Sequence, residues 1–329
     1  MANKNMVATL RASRMTYQIE AMKQVRSSKQ AIENYVNTVK VAGAFPEYLD
    51  YVTSFYDVKT GSSGSLFKNN EENNYILAYT GTNPVTDMKK DIETDLYSVC
   101  MGLGYHFKPC FDFYKKVREK YGDNIILTGH SLGGNIAQRV AIEFDVPKTI
   151  IYNSAFLYIE NAINLFMTVT DNNRSLYLKR LRRYNRQVKL IKEKKAAFTG
   201  QILHFSSEDD FIGRMSAVAK EEIFILGKNY IVKNGGGHAL SSLEHQAGEE
   251  INKVINGEIG FSDKFTINHS HITKREADML LNMATNSKST LEEFARLFVG
   301  NEVVMNFDEK MMADVDIDKF LKYFVSKVK

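Results

Sequence analysis

The run Gly129-His130-Ser131-Leu132-Gly133 places a serine between two glycines, each two positions away. A serine framed in this way can stand on a turn too sharp for neighbouring side chains, its hydroxyl free to attack an acyl carbon. The flanking sequence suits that chemistry. The apolar run Ile125-Ile126-Leu127 comes just before it, and residues 133–141 (Gly-Gly-Asn-Ile-Ala-Gln-Arg-Val-Ala) form a helix-compatible stretch just after. A helix that starts there aims its first free N–H groups at the oxyanion such an attack creates, which makes the Leu132 amide a candidate donor.

A serine hydroxyl is inert without a base to take its proton. On a strand–turn–helix elbow the partners follow in the order acid, then histidine. Of the 7 histidines, His238, His245, His269 and His271 lie beyond the acid candidates. His238 follows Gly235-Gly236-Gly237, a loop able to carry it over the end of the sheet, and is the expected base. His245 reads as a surface or packing residue of the next helix, and His269 and His271 fall beyond the expected end of the sheet. His130 reads as packing against a neighbouring strand. Three carboxylates, Glu208, Asp209 and Asp210, follow the strand expected over Ile202 to Phe205, and residue chemistry alone leaves all three open. A second oxyanion donor should sit at an earlier strand end. In Tyr79-Thr80-Gly81-Thr82, Gly81 permits close backbone approach and Thr82 offers both N–H and hydroxyl.

The elements that must position these groups alternate along the chain. Residues 66–67, 75–79, 125–127, 149–152, 201–205, 223–226 and 230–232 read as strands, and 106–121 and 133–144 as helices. This alternation predicts an α/β fold with a mostly parallel central sheet flanked by helices. Ahead of it, apolar residues recur at helical spacing over about 5–42 with no Pro or Gly, predicting one long N-terminal helix. After about 262 the strand signals stop. Thr273-x-x-Glu276 and Thr290-x-x-Glu293 are capping-box patterns, so a helical appendage is expected there. The predicted organisation is a helical segment over 1–50, the α/β unit over 51–261 with a helical insertion over 170–198, and the appendage over 262–329.

The insertion is unusual in composition: Arg174 to Lys195 holds ten Lys/Arg and one acidic residue, Glu193. Leu181, Val188 and Ile191 would share one face of a helix there. Such a helix could pack on the body as a solvated element, close over the site as a lid, or lie on an anionic bilayer. Nucleic acid is not an expected partner, because aromatics for base stacking are few in that stretch. A net charge of +4 likewise argues against a chain built as a polycation. No apolar run reaches the ~18 residues of a membrane span, and the first residues lack a secretory signal pattern. A cytoplasmic location, or export that reads no such signal, is therefore expected. The two cysteines, Cys100 and Cys110, exclude a disulfide framework and are expected to be reduced thiols. No Cys/His pattern has metal-ligand spacing, and no cofactor is implied.

The order Tyr79-Thr80-Gly81-Thr82, then Asp91 and Asp95, then Leu127-Thr-Gly-His-Ser131-Leu-Gly-Gly134 resembles the class 3 lipase family of the α/β-hydrolase superfamily, in particular its Mbeg1-like bacterial members. The match runs over about residues 55–250. It also takes in Thr60-Gly-x-x-Gly64-x-Leu-Phe-Lys68, the post-strand segment 204–212 and His238-Ala-Leu-Ser-Ser-Leu243. The family commonly has Arg where Thr80 stands. The resemblance implies a catalytic set of Ser131, Asp210 (with Asp209 as runner-up) and His238, with Thr82 and Leu132 as oxyanion donors. It implies hydrolysis of an acyl ester or lipid through an acyl-enzyme, with no cofactor. A non-lipid ester or thioester would be served by the same groups. A hydrolase-like protein that binds without catalysis is the competing reading.

Overall fold

The computed structural model describes residues 6–81, 99, 101–103, 107–167, 169–210, 223–262 and 264–266. Its centre is an eight-stranded sheet. The strands are β1 (Leu49–Tyr56), β2 (Ser63–Asn69), β3 (Asn74–Tyr79), β4 (Ile125–His130), β5 (Lys148–Tyr152), β7 (Gln201–Ser207), β9 (Lys228–Val232) and β10 (Phe265–Thr266), in that spatial order. β3, β4, β5, β7 and β9 run parallel, while β1–β2–β3 at one edge and β10 at the other pair antiparallel. The chain is thus an α/β-hydrolase-type architecture, a mostly parallel sheet with covered faces. A two-stranded ribbon, β6 (Tyr158–Ile159) with β8 (Ile223–Phe224), lies outside the main sheet.

Burial on both faces explains the apolar runs. In β4, Ile125 and Leu127 join the core under the helices α3 (Phe107–Tyr121), α4 (Leu132–Phe144) and α6 (Arg174–Ala197), while Ile126 joins the opposite core. A strand buried on one face only would alternate with polar residues instead. The short α5 (Ala162–Phe166) precedes α6. The opposite face is covered by α1 (Ala8–Gln24), α2 (Lys29–Val41) and α7 (Leu240–Ile255).

The expected single N-terminal helix is two. Arg26 adopts φ 59°, outside the helical region, and Ser28 restarts the helix by accepting the Ala31 N–H at 3.1 Å. The helical period carries across such a break, so periodicity alone does not reveal it. α1 packs on the sheet. Leu10, Ala12, Met15 and Ile19 are buried on the sheet. Its polar contacts are long-range: Thr9 Oγ1 lies 2.7 Å from Tyr152 OH, and Ser13 Oγ lies 3.0 Å from Thr128 Oγ1. Arg11 bridges to Glu244 of α7 at 2.5 Å. Two strands of the main sheet went unread in the sequence. β1 carries an irregularity in register between Tyr51 and Thr53 that breaks its alternation, and β10, beyond the point where strand signals stop, has two residues. The helical appendage expected after 262 otherwise lies outside the described residues.

Candidate active site

Ser131 sits between the end of β4 and the first residue of α4 with φ 57° and ψ −126°. A non-glycine residue in such a conformation stores about 1–3 kcal/mol, retained only where the surroundings over-determine it. Here they do. The Ser131 N–H donates to Tyr152 O at 3.2 Å, and its carbonyl accepts from the Gly134 and Ala155 N–H groups at 3.0 Å each. Gly133 explains the flanking glycine. A Cβ there would stand 2.7 Å from Thr80 C and 2.9 Å from Gly81 N, so the helix start can touch the end of β3 only without a side chain. A Cβ on Gly81 would in turn lie 3.2 Å from Ser131 Cβ, which sets the β3 end directly beside the serine. Leu132 occupies the first helical position, where an N–H has no intrahelical acceptor. Thr82, like Asp91 and Asp95, lies outside the described residues.

Among the carboxylates after β7, Asp210 is the one that meets the imidazole. His238 Nδ1–H donates to Asp210 Oδ1 at 2.6 Å, with the two side chains 6% and 1% exposed. Asp209 is exposed, and Glu208 Oε2 accepts from the Asn234 N–H at 3.2 Å. In the neutral ring with its proton on Nδ1, Nε2 of His238 would carry the lone pair, and among the described residues that buried atom has no hydrogen-bond partner. His245 is exposed on α7; His269 and His271 lie outside the described residues.

The His238 backbone is held by residues that sequence reasoning missed. Its carbonyl accepts from Asn153 Nδ2 and from His130 Nε2, each at 2.8 Å. Asn153 follows β5 at φ 40°, a conformation Asn tolerates, and its Oδ1 accepts the Ser207 N–H at 2.7 Å beside the acid loop. Ser207 Oγ also donates to the Gly236 carbonyl in the glycine loop. The His130 ring lies 4.5 Å, centroid to centroid, from the His238 ring. His130 therefore packs against the candidate base rather than a strand. Because a carbonyl can only accept, His130 must carry its proton on Nε2, and Nδ1 accepts from Tyr17 OH at 3.0 Å. Tyr17 OH itself accepts the Gly81 N–H at 3.0 Å. The weak sequence signals for these partners were the asparagine just past a strand and a lone tyrosine in α1.

Burial, assisted by the neighbouring His238 ring, pushes the His130 pKa from 6.5 down to about 3. A group kept neutral in the fold but free to protonate when unfolded makes the unfolded state bind more protons below pH 6.5, so stability falls as pH drops from there towards 3. From pH 6.5 to pH 5, His130 should cost about 2 kcal/mol of stability. Thermal melts of the protein and of His130→Leu across this range check it: the variant should have the shallower acid dependence.

Among the described residues, no cluster of His, Cys, Asp or Glu is arranged to hold a metal ion. The arrangement has the parts for acyl transfer: a strained serine at a helix N-terminus, and a carboxylate-oriented imidazole with a bare nitrogen.

No protein-family model matches the chain. A 92-residue stretch, 27% of this chain, is 28% identical to an extracellular phospholipase A1 of Serratia liquefaciens and spans about a quarter (26%) of that protein. Among solved structures, lipase II from Rhizopus niveus aligns with TM-score 0.39 at 11% identity, covering 70% of this chain and 80% of its own. A mutant form of MDLA from Penicillium cyclopium aligns with TM-score 0.43 at 12% identity over 89% of this chain and 95% of its own. A triacylglycerol lipase whose catalytic centre is a serine protease triad aligns with TM-score 0.42 at 11% identity, covering 68% and 78%.

Proposed function

We propose that this protein is a serine-dependent carboxylic ester hydrolase acting on lipid, a lipase or phospholipase of the class 3, Mbeg1-like type. The observation that carries the reading is the buried Asp210–His238 pair, whose unoccupied Nε2 belongs to a ring packed against the residue next to a strained Ser131. Ser131 Oγ attacks the substrate carbonyl as His238 Nε2 takes its proton, and the Leu132 N–H with Thr82 receives the oxyanion. Collapse of the tetrahedral species forms the acyl-enzyme and expels the alcohol, which takes its proton from His238. Water, deprotonated by the same nitrogen, then releases the acid and restores Ser131. Asp210 fixes the tautomer and stabilises the imidazolium at both stages. The partial identity to a phospholipase A1 supports an acyl lipid as the substrate class.

The test is labelling of the folded protein with a fluorophosphonate probe, followed by peptide mapping, alongside incubation with mixed phospholipid vesicles and with short soluble esters. We expect an adduct on Ser131 and fatty acid released from the vesicles. Soluble ester turnover alone would move the assignment to a non-lipid esterase. Absence of an adduct would favour a hydrolase-like binding protein.

A further inference from the structure

The charge of this molecule is unevenly placed. The chain carries a net +4, yet α6 alone holds ten Lys/Arg against the single Glu193, so the remainder is net acidic. One face of α6 is committed to the body through buried Tyr184, Val188 and Ile191. On the other face Arg174, Lys179, Arg182, Arg186 and Lys189 are exposed along four turns, with Leu178 39% exposed among them. Lys192 and Lys194 are paired, with Glu160 at 2.7 Å and Glu143 at 3.0 Å. Arg174, Lys179, Arg182 and Arg186 make no ion pair among the described residues. This cationic face begins at the end of the sheet that carries the candidate site. Residues 155–156 contact the elbow, with the Ala155 N–H on Ser131 O at 3.0 Å and Asn135 Nδ2 on Phe156 O at 2.5 Å. The chain that follows is bound to α6 through Tyr184 OH on Ile159 O at 2.9 Å and Tyr177 OH on Asn164 Oδ1 at 2.8 Å.

We propose that this face of α6 docks the protein on an anionic lipid surface, bringing the serine end of the sheet to its substrate. Repelling cations held without partners beside an exposed leucine match a surface that is both negative and partly apolar. A single-stranded nucleic acid fits less well, since Tyr177 and Tyr184 are turned to the body and cannot stack on bases. Among the described residues no helix is long and apolar enough to cross a bilayer. The proposal rests on the hydrolase reading only for the lipid nature of the partner.

The test uses the full chain carrying Ser131→Ala, so that lipid is not consumed, in flotation with vesicles of phosphatidylcholine alone or mixed with phosphatidylglycerol. Binding is expected to the mixed vesicles only, and to weaken as salt rises from about 0.1 to 1 M. Neutralising Arg174, Lys179, Arg182 and Arg186 to Gln should lower the partition coefficient about 600-fold, each charge near such a surface counting for about fivefold, with an unchanged melting temperature. Equal partition of the variant, or binding of single-stranded RNA in place of vesicles, overturns the proposal. Ser131-dependent turnover of a soluble ester by the wild-type chain is measured separately, so the hydrolase reading stands or falls on its own.

On the opposite face, the directional chain Gly81 N–H to Tyr17 OH to His130 Nδ1, then His130 Nε2–H to the His238 carbonyl, joins four separate elements. We infer that Tyr17 is a positioning residue for the proposed reaction. One hydroxyl aligns the β3 end that leads to the oxyanion side and, through His130, the backbone of the candidate base. His130 stays neutral down to pH about 3, which preserves the direction of every bond in the chain. Tyr17→Phe keeps the ring and removes the link. It is expected to lower kcat on a soluble ester about 10-fold, within the about 100-fold that a 1 Å misplacement can cost, with KM and fold unchanged and fluorophosphonate labelling slowed in parallel. A wild-type kcat in Tyr17→Phe, or a loss expressed in KM, overturns the inference. Turnover that persists in Ser131→Ala would instead bring down the hydrolase reading.

Discussion

Replacing Ser131 by alanine is expected to reduce kcat on a short soluble ester by about 10⁶-fold, the scale on which loss of a triad nucleophile acts, while the protein remains folded. The backbone of Ser131 is fixed by hydrogen bonds to Tyr152 O and from the Gly134, Asn135 and Ala155 N–H groups, none of them supplied by a side chain, so the elbow persists without the hydroxyl. The companion Ser131→Gly separates chemistry from strain. Alanine meets the same steric penalty at φ 57° that serine does, whereas glycine does not. Ser131→Gly should therefore be equally inactive but about 1 kcal/mol more stable than Ser131→Ala. Steady-state kinetics and denaturant unfolding of the two variants provide the check. Residual activity within tenfold of wild type in either variant would remove Ser131 from the chemistry.

The second large effect concerns the acid. Asp210→Asn is expected to lower kcat by about 10⁴-fold, whereas Asp209→Asn should change it less than about threefold, as surface substitutions do. The contrast follows from geometry. Asp210 is 1% exposed and 2.6 Å from His238 Nδ1, and in the proposed reaction its negative charge stabilises the imidazolium; Asp209 is exposed. An amide of the same shape keeps the packing but loses the charge, and it can present an N–H that drives the imidazole into the wrong tautomer. Parallel kinetics on the two variants decide the matter, and equal losses would mean that the acid loop acts as a charged surface rather than through one carboxylate.

Much of the candidate site was legible along the chain because its residue pattern is local. A nucleophile elbow needs glycines at fixed offsets, an apolar strand before it and a helix after it, all within about 20 residues. The parallel sheet was legible for the same reason: buried strands leave apolar runs, and helices between them leave a different period. The basic stretch likewise read as an amphipathic helix, and residues 174–197 form one.

Tertiary structure decided what depends on residues far apart. Glu208, Asp209 and Asp210 are chemically alike in sequence, and only packing against His238 buries one and exposes another. The break at Arg26 preserves the apolar period of α1 and α2, so the period alone does not show it. Tyr17, His130 and His238 are separated by more than 100 residues at each step, and their hydrogen bonds exist because α1 lies across the end of β4. Periodicity reports which face of an element is buried, since helix and strand geometry set residues of fixed spacing on one face. It carries no record of which buried polar groups meet, because that is fixed by how separate elements pack together.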